Sequence, residues 1–266
     1  MRMFSKAVMG LSLAATAFLA IPAQALPLLP ILNPNFTTIS GSSPKNVFSN
    51  VAPNSWSQSG SGSNLVFIDG PGTATTTGTG GCCYAVQGPF SNPPVGTNFV
   101  QADGDPAFER VFYQQLSGLT IGQTYELTFW QAAGQQTGFT GATTEQWVVS
   151  LGKNILTKDA STNPGTYSNA DPTASIVKTH LMNTASQGVY NWEQVTINLV
   201  ADATSEYLSF LAWGNGGSTT NQPPTVFLAG LNSPKLPVPE PMTLSLFSAG
   251  LAGLALRRRA KNKAKA

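Results

Sequence analysis

Apolar and polar residues alternate through most of the chain between residues 30 and 235. Tyr125, Leu127 and Phe129, for example, alternate with Glu126 and Thr128. Because successive side chains of a strand point to opposite faces, this pattern predicts half-buried strands, and no 3.6-residue apolar stripe competes with it. We predict nine strands, at residues 65–68, 98–102, 108–114, 125–130, 147–151, 176–181, 195–199, 208–212 and 225–231.

Turn sequences separate the predicted strands. Residues 69–72 read Asp-Gly-Pro-Gly, residues 103–106 read Asp-Gly-Asp-Pro and residues 214–217 read Gly-Asn-Gly-Gly. These residue types favour tight turns. The segment Gly70–Gly81, almost all Gly, Thr and Ala, is expected to be a flexible loop outside the core. The pattern predicts an all-β fold, an antiparallel β-sandwich or jelly roll.

The N-terminus is organised like a secretory signal peptide. Arg2 and Lys6 precede an apolar run at residues 7–21, and Ala-Gln-Ala follows at residues 23–25. The run is shorter than the ~20 residues that a membrane-spanning helix needs. We therefore expect export through the Sec translocon and removal of residues 1–25 by signal peptidase.

Near the C-terminus an apolar stretch is followed by cations. A Pro-Glu-Pro triplet (Pro239, Glu240 and Pro241) comes first, then the apolar stretch at residues 242–256, and then the arginine cluster Arg257, Arg258 and Arg259. As a helix the stretch would be roughly 22 Å long against a ~30 Å hydrocarbon core, which predicts a short, marginal transmembrane helix. Because cations stay on the cytoplasmic side, the chain before residue 239 is expected outside the inner membrane.

These three features, in this order, resemble the PEP-CTERM sorting signal. The resemblance implies transient anchoring in the inner membrane and cleavage near the Pro-Glu-Pro by an exosortase, a membrane transpeptidase. It also implies a Gram-negative host that makes extracellular polysaccharide, with the processed protein at the cell surface or in the extracellular matrix. A plain C-terminal membrane anchor is the alternative interpretation.

The chain divides into four parts. These are the signal peptide (1–25), a β-sandwich domain (26–231), a Pro-containing linker (232–238) and the sorting tail (239–266). Residues 26–238 contain six Lys or Arg and eleven Asp or Glu, a net charge near −5. An acidic body with scattered cations offers no surface for a phosphate backbone, so we expect no nucleic-acid partner.

The two cysteines, Cys82 and Cys83, are adjacent and follow two glycines. Neighbouring cysteines cannot join distant strands. A vicinal disulfide, two free thiols and intermolecular pairing are all open in an oxidising compartment. With no third cysteine and no nearby histidine, the sequence does not support a zinc site.

The order of features also resembles the jelly-roll modules of the galactose-binding-like group. The resemblance covers residues 95–231 and depends on residues 119–130, the strand that begins with Trp192, residues 208–213 and the last strand at 225–231. It implies carbohydrate binding and a structural calcium ion. The last strand reads Ala-Gly-Leu where such modules often have Asp-Asn-Val, so no calcium role is transferred to it.

Acidic residues are the candidates for metal binding or acid–base chemistry. Asp103, Asp105 and Glu109 form the densest group. Three interpretations are open: a turn whose Asp side chains accept hydrogen bonds from backbone amides, a turn in which Asp103 and Asp105 also bind calcium, and a catalytic carboxylate pair.

His180, the single histidine, is expected to be a partly exposed strand residue. Because the common catalytic motifs are missing from the sequence, we expect no enzyme activity.

Sugar recognition needs aromatic faces for stacking and amides for hydroxyl groups, and both surround residues 134–144. The candidate carbohydrate-binding residues are Trp130, Gln131, Gln135, Gln136, Phe139 and Trp213. If Phe129 faces the core, Trp130 faces outward. We expect Trp213 to be exposed beside its Gly-rich loop, and Trp147 and Trp192 to be in the core.

These patterns favour an exported, non-catalytic β-sandwich that binds extracellular polysaccharide. Two other functions are open: a self-associating structural surface protein, and a carboxylate-dependent enzyme that degrades polysaccharide.

Export should remove the signal peptide after the Ala-Gln-Ala triplet. N-terminal sequencing of protein recovered from the cell surface should therefore begin at Leu26. A surface protein that still begins with Met1 would show that residues 1–25 are retained.

Overall fold

The computed structural model describes residues 25–39, 53–59, 66–76, 84–96, 98–108, 110–219 and 222–236. The signal peptide up to residue 24, Cys82, Cys83, Glu109 and the tail from residue 237 lie outside the described residues. The strands are β1 (Ser57–Gln58), β2 (Val66–Asp69), β3 (Phe99–Asp103), β4 (Val111–Ser117), β5 (Thr124–Gln135), β6 (Thr143–Gly152), β7 (Leu156–Asp159), β8 (Thr166–Asn169), β9 (Ser175–Lys178), β10 (Met182–Thr184), β11 (Val189–Val200), β12 (Ser205–Gly214) and β13 (Pro224–Ala229).

The strands form two antiparallel sheets that pack face to face. The six-stranded sheet has the order β1-β4-β12-β6-β10, with β9 also paired to β6, and the five-stranded sheet has the order β11-β5-β13-β3-β2. β7 and β8 form a separate two-stranded hairpin. The predicted all-β antiparallel fold is therefore confirmed. Among the described residues, no helix is long and apolar enough to cross a membrane.

The core lies between the two sheets. Leu127 and Phe129 of β5 face Trp147 of β6 and Phe210 of β12, and all four are fully buried. The ring of Phe210 stands edge-on to Phe129 at 5.7 Å and to Trp147 at 5.9 Å, a favourable geometry for aromatic quadrupoles. The predicted inward face of β5 and the predicted core position of Trp147 are both confirmed.

Several strand boundaries differ from the prediction. β4 begins at Val111 because the backbone N–H of Phe108 closes a turn on the carbonyl of Asp105 (2.9 Å). The predicted strand at 176–181 is interrupted, and His180 lies between β9 and β10. The alternation did not predict β1, β7, β8 or β10, each of which has four residues or fewer.

Residues 70–81 are expected to be a flexible loop outside the core, and among the described residues 70–76 Ala74 departs from this expectation, whereas Pro71, Gly72 and Thr76 are exposed. Ala74 is 2% exposed and packs in an apolar cluster on the outer face of the five-stranded sheet. Its carbonyl accepts a hydrogen bond from the backbone of Val86 (3.1 Å), which fixes the segment against that sheet.

One end of the interior is polar. Glu145, at the start of β6, is fully buried, and its Oε2 accepts a hydrogen bond from the hydroxyl of Thr184 (2.7 Å). Its Oε1 is buried without a hydrogen-bond partner among the described residues. Burial disfavours the charged carboxylate and raises the pKa of Glu145 from 4.5 to about 7.

Replacing Trp147 should destabilise the fold strongly. Trp147 also donates a hydrogen bond from Nε1 to the carbonyl of Phe227 in the opposite sheet (3.0 Å). Trp147→Ala should lower the free energy of unfolding by about 3–5 kcal/mol through the cavity it leaves, measured by urea denaturation. Ile121→Ala, at a side chain that is 64% exposed, is the control and should change it by less than about 0.5 kcal/mol. Equal effects of the two substitutions would show that Trp147 does not lie in the core.

Glu145 should make the fold less stable as the pH rises. Because its pKa is higher in the folded chain than in the unfolded chain, the folded chain keeps the proton up to a higher pH. The contribution of Glu145 to the free energy of unfolding is therefore complete below pH 4.5 and declines up to about pH 7. The unfolding free energy of Glu145→Gln relative to the natural chain should therefore increase by up to about 3 kcal/mol between pH 4.5 and 8. Denaturant titrations at several pH values measure this difference. A difference that stays constant would mean that Glu145 titrates normally in the fold.

Candidate functional site

Trp130 points away from the core, as predicted, but it is not open to solvent. It is 7% exposed and packs with Ala132 and Phe227 on the outer face of the five-stranded sheet. Val86 belongs to the same cluster, and the partly buried Trp192 of β11 packs against it. Trp130 is therefore part of a second small core, and the prediction of an exposed platform at this position is wrong.

Gln131 and Gln135 point into the interior, because they share the phase of Phe129 along β5. Both are fully buried. Nε2 of Gln131 donates to Oε1 of Glu193 (2.6 Å), and Nε2 of Gln135 donates to the carbonyl of Gly141 (2.7 Å). These amides hold loops in place and offer no surface to a ligand.

Of the three remaining candidates, two are buried and one is partly exposed. Gln136 is 6% exposed, and Phe139 lies in the β5–β6 loop with a partly exposed side chain. Trp213 is 5% exposed, and its ring meets Tyr167 of the β7–β8 hairpin edge-on at 4.9 Å. The expected exposure of Trp213 is wrong because this hairpin folds over it. The six predicted residues do not form one open site.

An open aromatic surface does exist, on the outer face of the six-stranded sheet beyond that hairpin. Tyr113 of β4 and Tyr207 of β12 are partly exposed, and their rings pack edge-on with centroids 5.8 Å apart. Gln115, Ser117 and Ser205 lie on the same face, and Nε2 of Gln115 donates to Oγ of Ser205 (3.2 Å). We call these five residues the tyrosine face.

The strand register explains why the tyrosine face forms. Gln115 is directly opposite Tyr207, and Tyr113 is opposite Ser209, so the two tyrosines are diagonal neighbours on the same side of the sheet. Alternation alone places Tyr113 and Tyr207 on outward faces. It does not reveal that β4 and β12, about 90 residues apart, are adjacent, and for this reason the sequence did not predict the site.

Asp103 and Asp105 form the turn that the sequence predicts. Oδ1 of Asp103 accepts from the backbone N–H of Asp105 (2.7 Å), and Oδ1 of Asp105 accepts from that of Ala107 (2.8 Å). Both are nearly buried, and burial raises the pKa of Asp103 to about 7. Lys158 caps the turn by donating to the carbonyl of Pro106. Calcium binding by Asp103 and Asp105 stays a prediction.

His180 is exposed and lies beside Glu193, with Nδ1 3.2 Å from Oε1. The same carboxylate accepts hydrogen bonds from Gln131 and from the hydroxyl of Tyr190 (3.1 Å to Oε2). This pair contains no nucleophile, and it is a surface contact between an imidazole and a carboxylate.

Residues 232–236 are docked on the sandwich, although the sequence predicts a linker from residue 232. Oε1 of Gln194 accepts from the backbone N–H of Leu236, and its Nε2 donates to the carbonyl of Pro234, both at 2.7 Å. Lys235 forms an ion pair with Glu126 at the start of β5. The folded domain therefore extends at least to Leu236.

Several solved structures resemble the fold at low identity. TmCBM61 in complex with beta-1,4-galactotriose is 13% identical, covering 76% of this chain and 95% of that chain with a TM-score of 0.39. CBM28, a non-crystalline cellulose specific carbohydrate-binding module, is 15% identical over 79% and 98%, with a TM-score of 0.30. The K3 cleaved adhesin domain of Lys-gingipain from Porphyromonas gingivalis is 16% identical over 69% and 93%, with a TM-score of 0.35. These TM-scores mark a loose resemblance.

The C-terminal part of the sequence matches a known family model. No curated protein matches the chain as a whole. The model of the PEP-CTERM protein-sorting motif matches residues 237–259, beginning at the residue after the docked segment. The tail of this chain therefore carries the PEP-CTERM protein-sorting motif, which implies export and processing by an exosortase.

Proposed function

We propose that this chain is an exported surface protein whose non-catalytic β-sandwich binds neutral polysaccharide through the tyrosine face. The observation that carries this proposal is the partly exposed Tyr113–Tyr207 pair, bordered by amide and hydroxyl groups on a sheet. Aromatic rings offer apolar faces to the C–H groups of a sugar ring. Amide and hydroxyl side chains provide the donors and acceptors for its hydroxyl groups.

The charge of the tyrosine face favours a neutral ligand. Its five residues include no Asp, Glu, Lys, Arg or His, and residues 26–238 carry a net charge near −5. An acidic polysaccharide would therefore be repelled by the body and would find no cation on this face. A neutral, hydroxyl-rich chain meets neither obstacle.

The absence of carboxylates from the tyrosine face supports a non-catalytic role. Hydrolysis of a glycosidic bond by the common mechanisms needs two carboxyl groups on either side of the bond. Glu206, next to Tyr207, points to the opposite side of β12 and is 1% exposed. A sugar on the tyrosine face would therefore be held without an acid or a base beside it.

The docked segment supports a position close to the membrane before processing. Three residue steps separate Leu236 from Pro239, and six separate it from Met242, where the apolar stretch begins. At ~3.4 Å per residue these are at most about 10 Å and about 20 Å. The end of the sandwich that carries Glu126 and Lys235 would then face the inner membrane, and an exosortase would act beside it.

Removing the tyrosines should abolish retention by polysaccharide. Affinity electrophoresis of the full-length chain in gels with hydroxyethyl cellulose or beta-1,4-galactan, and with the host's own extracellular polysaccharide, measures this. Tyr113→Ala and Tyr207→Ala should each weaken binding by about tenfold or more, equivalent to about 1.4 kcal/mol. Phe139→Ala, at the aromatic residue of the β5–β6 loop, is the matched control and should bind normally.

Two results would contradict the proposal. Loss of binding in Phe139→Ala with normal binding by both tyrosine variants would move the site to the β5–β6 loop. Concentration-dependent assembly in analytical ultracentrifugation that the tyrosine variants prevent, without polysaccharide binding, would instead support a self-associating structural protein. Circular dichroism of each variant confirms that the fold is retained.

A further inference from the structure

Three acidic side chains from separate parts of the chain converge at one end of the sandwich. Asp171 lies in the loop between β8 and β9, Asp202 in the β11–β12 turn and Glu206 near the start of β12. One oxygen from each carboxyl group lies within 4.8 Å of the other two. Two oxygens that each lie about 2.4 Å from a single calcium ion can be at most about 4.8 Å apart, and each pair of oxygens in this cluster meets that limit.

The cation already present does not balance these charges. Nζ of Lys153 lies 2.8 Å from Oδ2 of Asp202 and 3.6 Å from Oδ1 of Asp171. One ammonium group therefore contacts two of the three carboxyl groups, and Glu206 has no ion pair with it. The side chain of Lys153 is 50% exposed, so it can move into solvent without opening the fold.

The burial of Glu206 is an observation independent of the distances between the carboxyl groups, and it also points to a cation. Glu206 is 1% exposed, and its Oε2 is buried without a hydrogen-bond partner among the described residues. Its Oε1 accepts one bond from the backbone of Asp202 (3.2 Å), and Oδ1 of Asp202 is also buried without a partner. A buried carboxylate oxygen without a donor is costly, so the site lacks a positive charge or a proton.

A proton and a metal ion are the two candidates for this position. A proton shared by Asp202 and Glu206 would satisfy these two oxygens but would leave the charge of Asp171 to Lys153 alone. A divalent cation would satisfy both oxygens and the charge of Asp171 together.

The donor set is one that calcium prefers. Oγ1 of Thr173 lies 2.6 Å from Oδ1 of Asp171 and also contacts Oδ2 of Asp202, adding a fourth oxygen. The cluster contains no sulfur or imidazole ligand, which zinc favours. Calcium takes six to eight oxygen ligands in flexible geometry, and water can complete such a shell at a partly exposed site.

We propose that Asp171, Asp202 and Glu206 form a calcium site that ties the β8–β9 loop to the β11–β12 turn, and that calcium displaces the ammonium group of Lys153. This site is distinct from the turn at Asp103 and Asp105. Calcium bound only by the folded chain would raise its melting temperature by mass action.

The test uses the purified full-length chain and two readouts. Terbium luminescence, with calcium as competitor, measures direct binding, and thermal unfolding in EDTA or in 2 mM calcium measures the linkage to stability. The natural chain should bind terbium, and calcium should displace it and raise the melting temperature by about 3 °C or more. Magnesium at the same concentration should have a smaller effect, because it tolerates this irregular geometry less well.

Matched variants assign the site. Glu206→Gln, a change of similar size, should weaken calcium binding at least tenfold, and Asp103→Asn should leave it unchanged. Lys153→Met removes the competing cation and should tighten binding. If Glu206→Gln fails to fold, terbium binding by the natural chain and tighter binding by Lys153→Met still test the proposal.

Three results would overturn the proposal. The first is a natural chain without terbium luminescence or a calcium-dependent melting temperature, which would leave a shared proton in the cluster. The second is a calcium response that Asp103→Asn removes and Glu206→Gln keeps. The third is an equal response to magnesium and calcium, which would exclude a site specific for calcium.

Discussion

The structure depends on burying both faces of each sheet. A strand alternates its side chains between two sides, and β5 is apolar on both, with Phe129 on one side and Trp130 on the other. The two sheets cover each other on the inner side. On the outer side the chain covers itself, with the segment around Val86 over Trp130 and the β7–β8 hairpin over Trp213.

This requirement decides where a ligand could bind. The cover on the five-stranded sheet places Trp130 in a second small core, and the hairpin removes Trp213 from solvent. Among the described residues, the part of the six-stranded sheet with Tyr113 and Tyr207 stays open, and the neighbouring side chains there are polar and need no cover. This open surface thus results from the limited length of the hairpin that covers Trp213.

Buried carboxyl groups are the second recurring feature. Glu145 and Asp103 have pKa values raised to about 7 by burial, and Glu206 has the same value at the third site. Cations are scarce in residues 26–238, so each of these acids accepts a hydrogen bond from a backbone amide or a hydroxyl group, while one oxygen of Glu145 and one of Glu206 stay without a partner among the described residues. Each group stabilises a turn or loop junction at the ends of the strands, where hairpins must be held against the sheets.

Local pattern in the sequence determined the longer strands, the inward face of β5 and the Asp103–Asp105 turn, because each depends on residues within a few positions of one another. It also determined the sorting motif, which is a linear signal. Only the tertiary structure decided which outward residues stay exposed, since the cover of Trp130 and Trp213 comes from distant segments. The Tyr113–Tyr207 pair and the cluster of Asp171, Asp202 and Glu206 have the same origin. Strand pairing and loop packing join residues that no local spacing in the sequence connects.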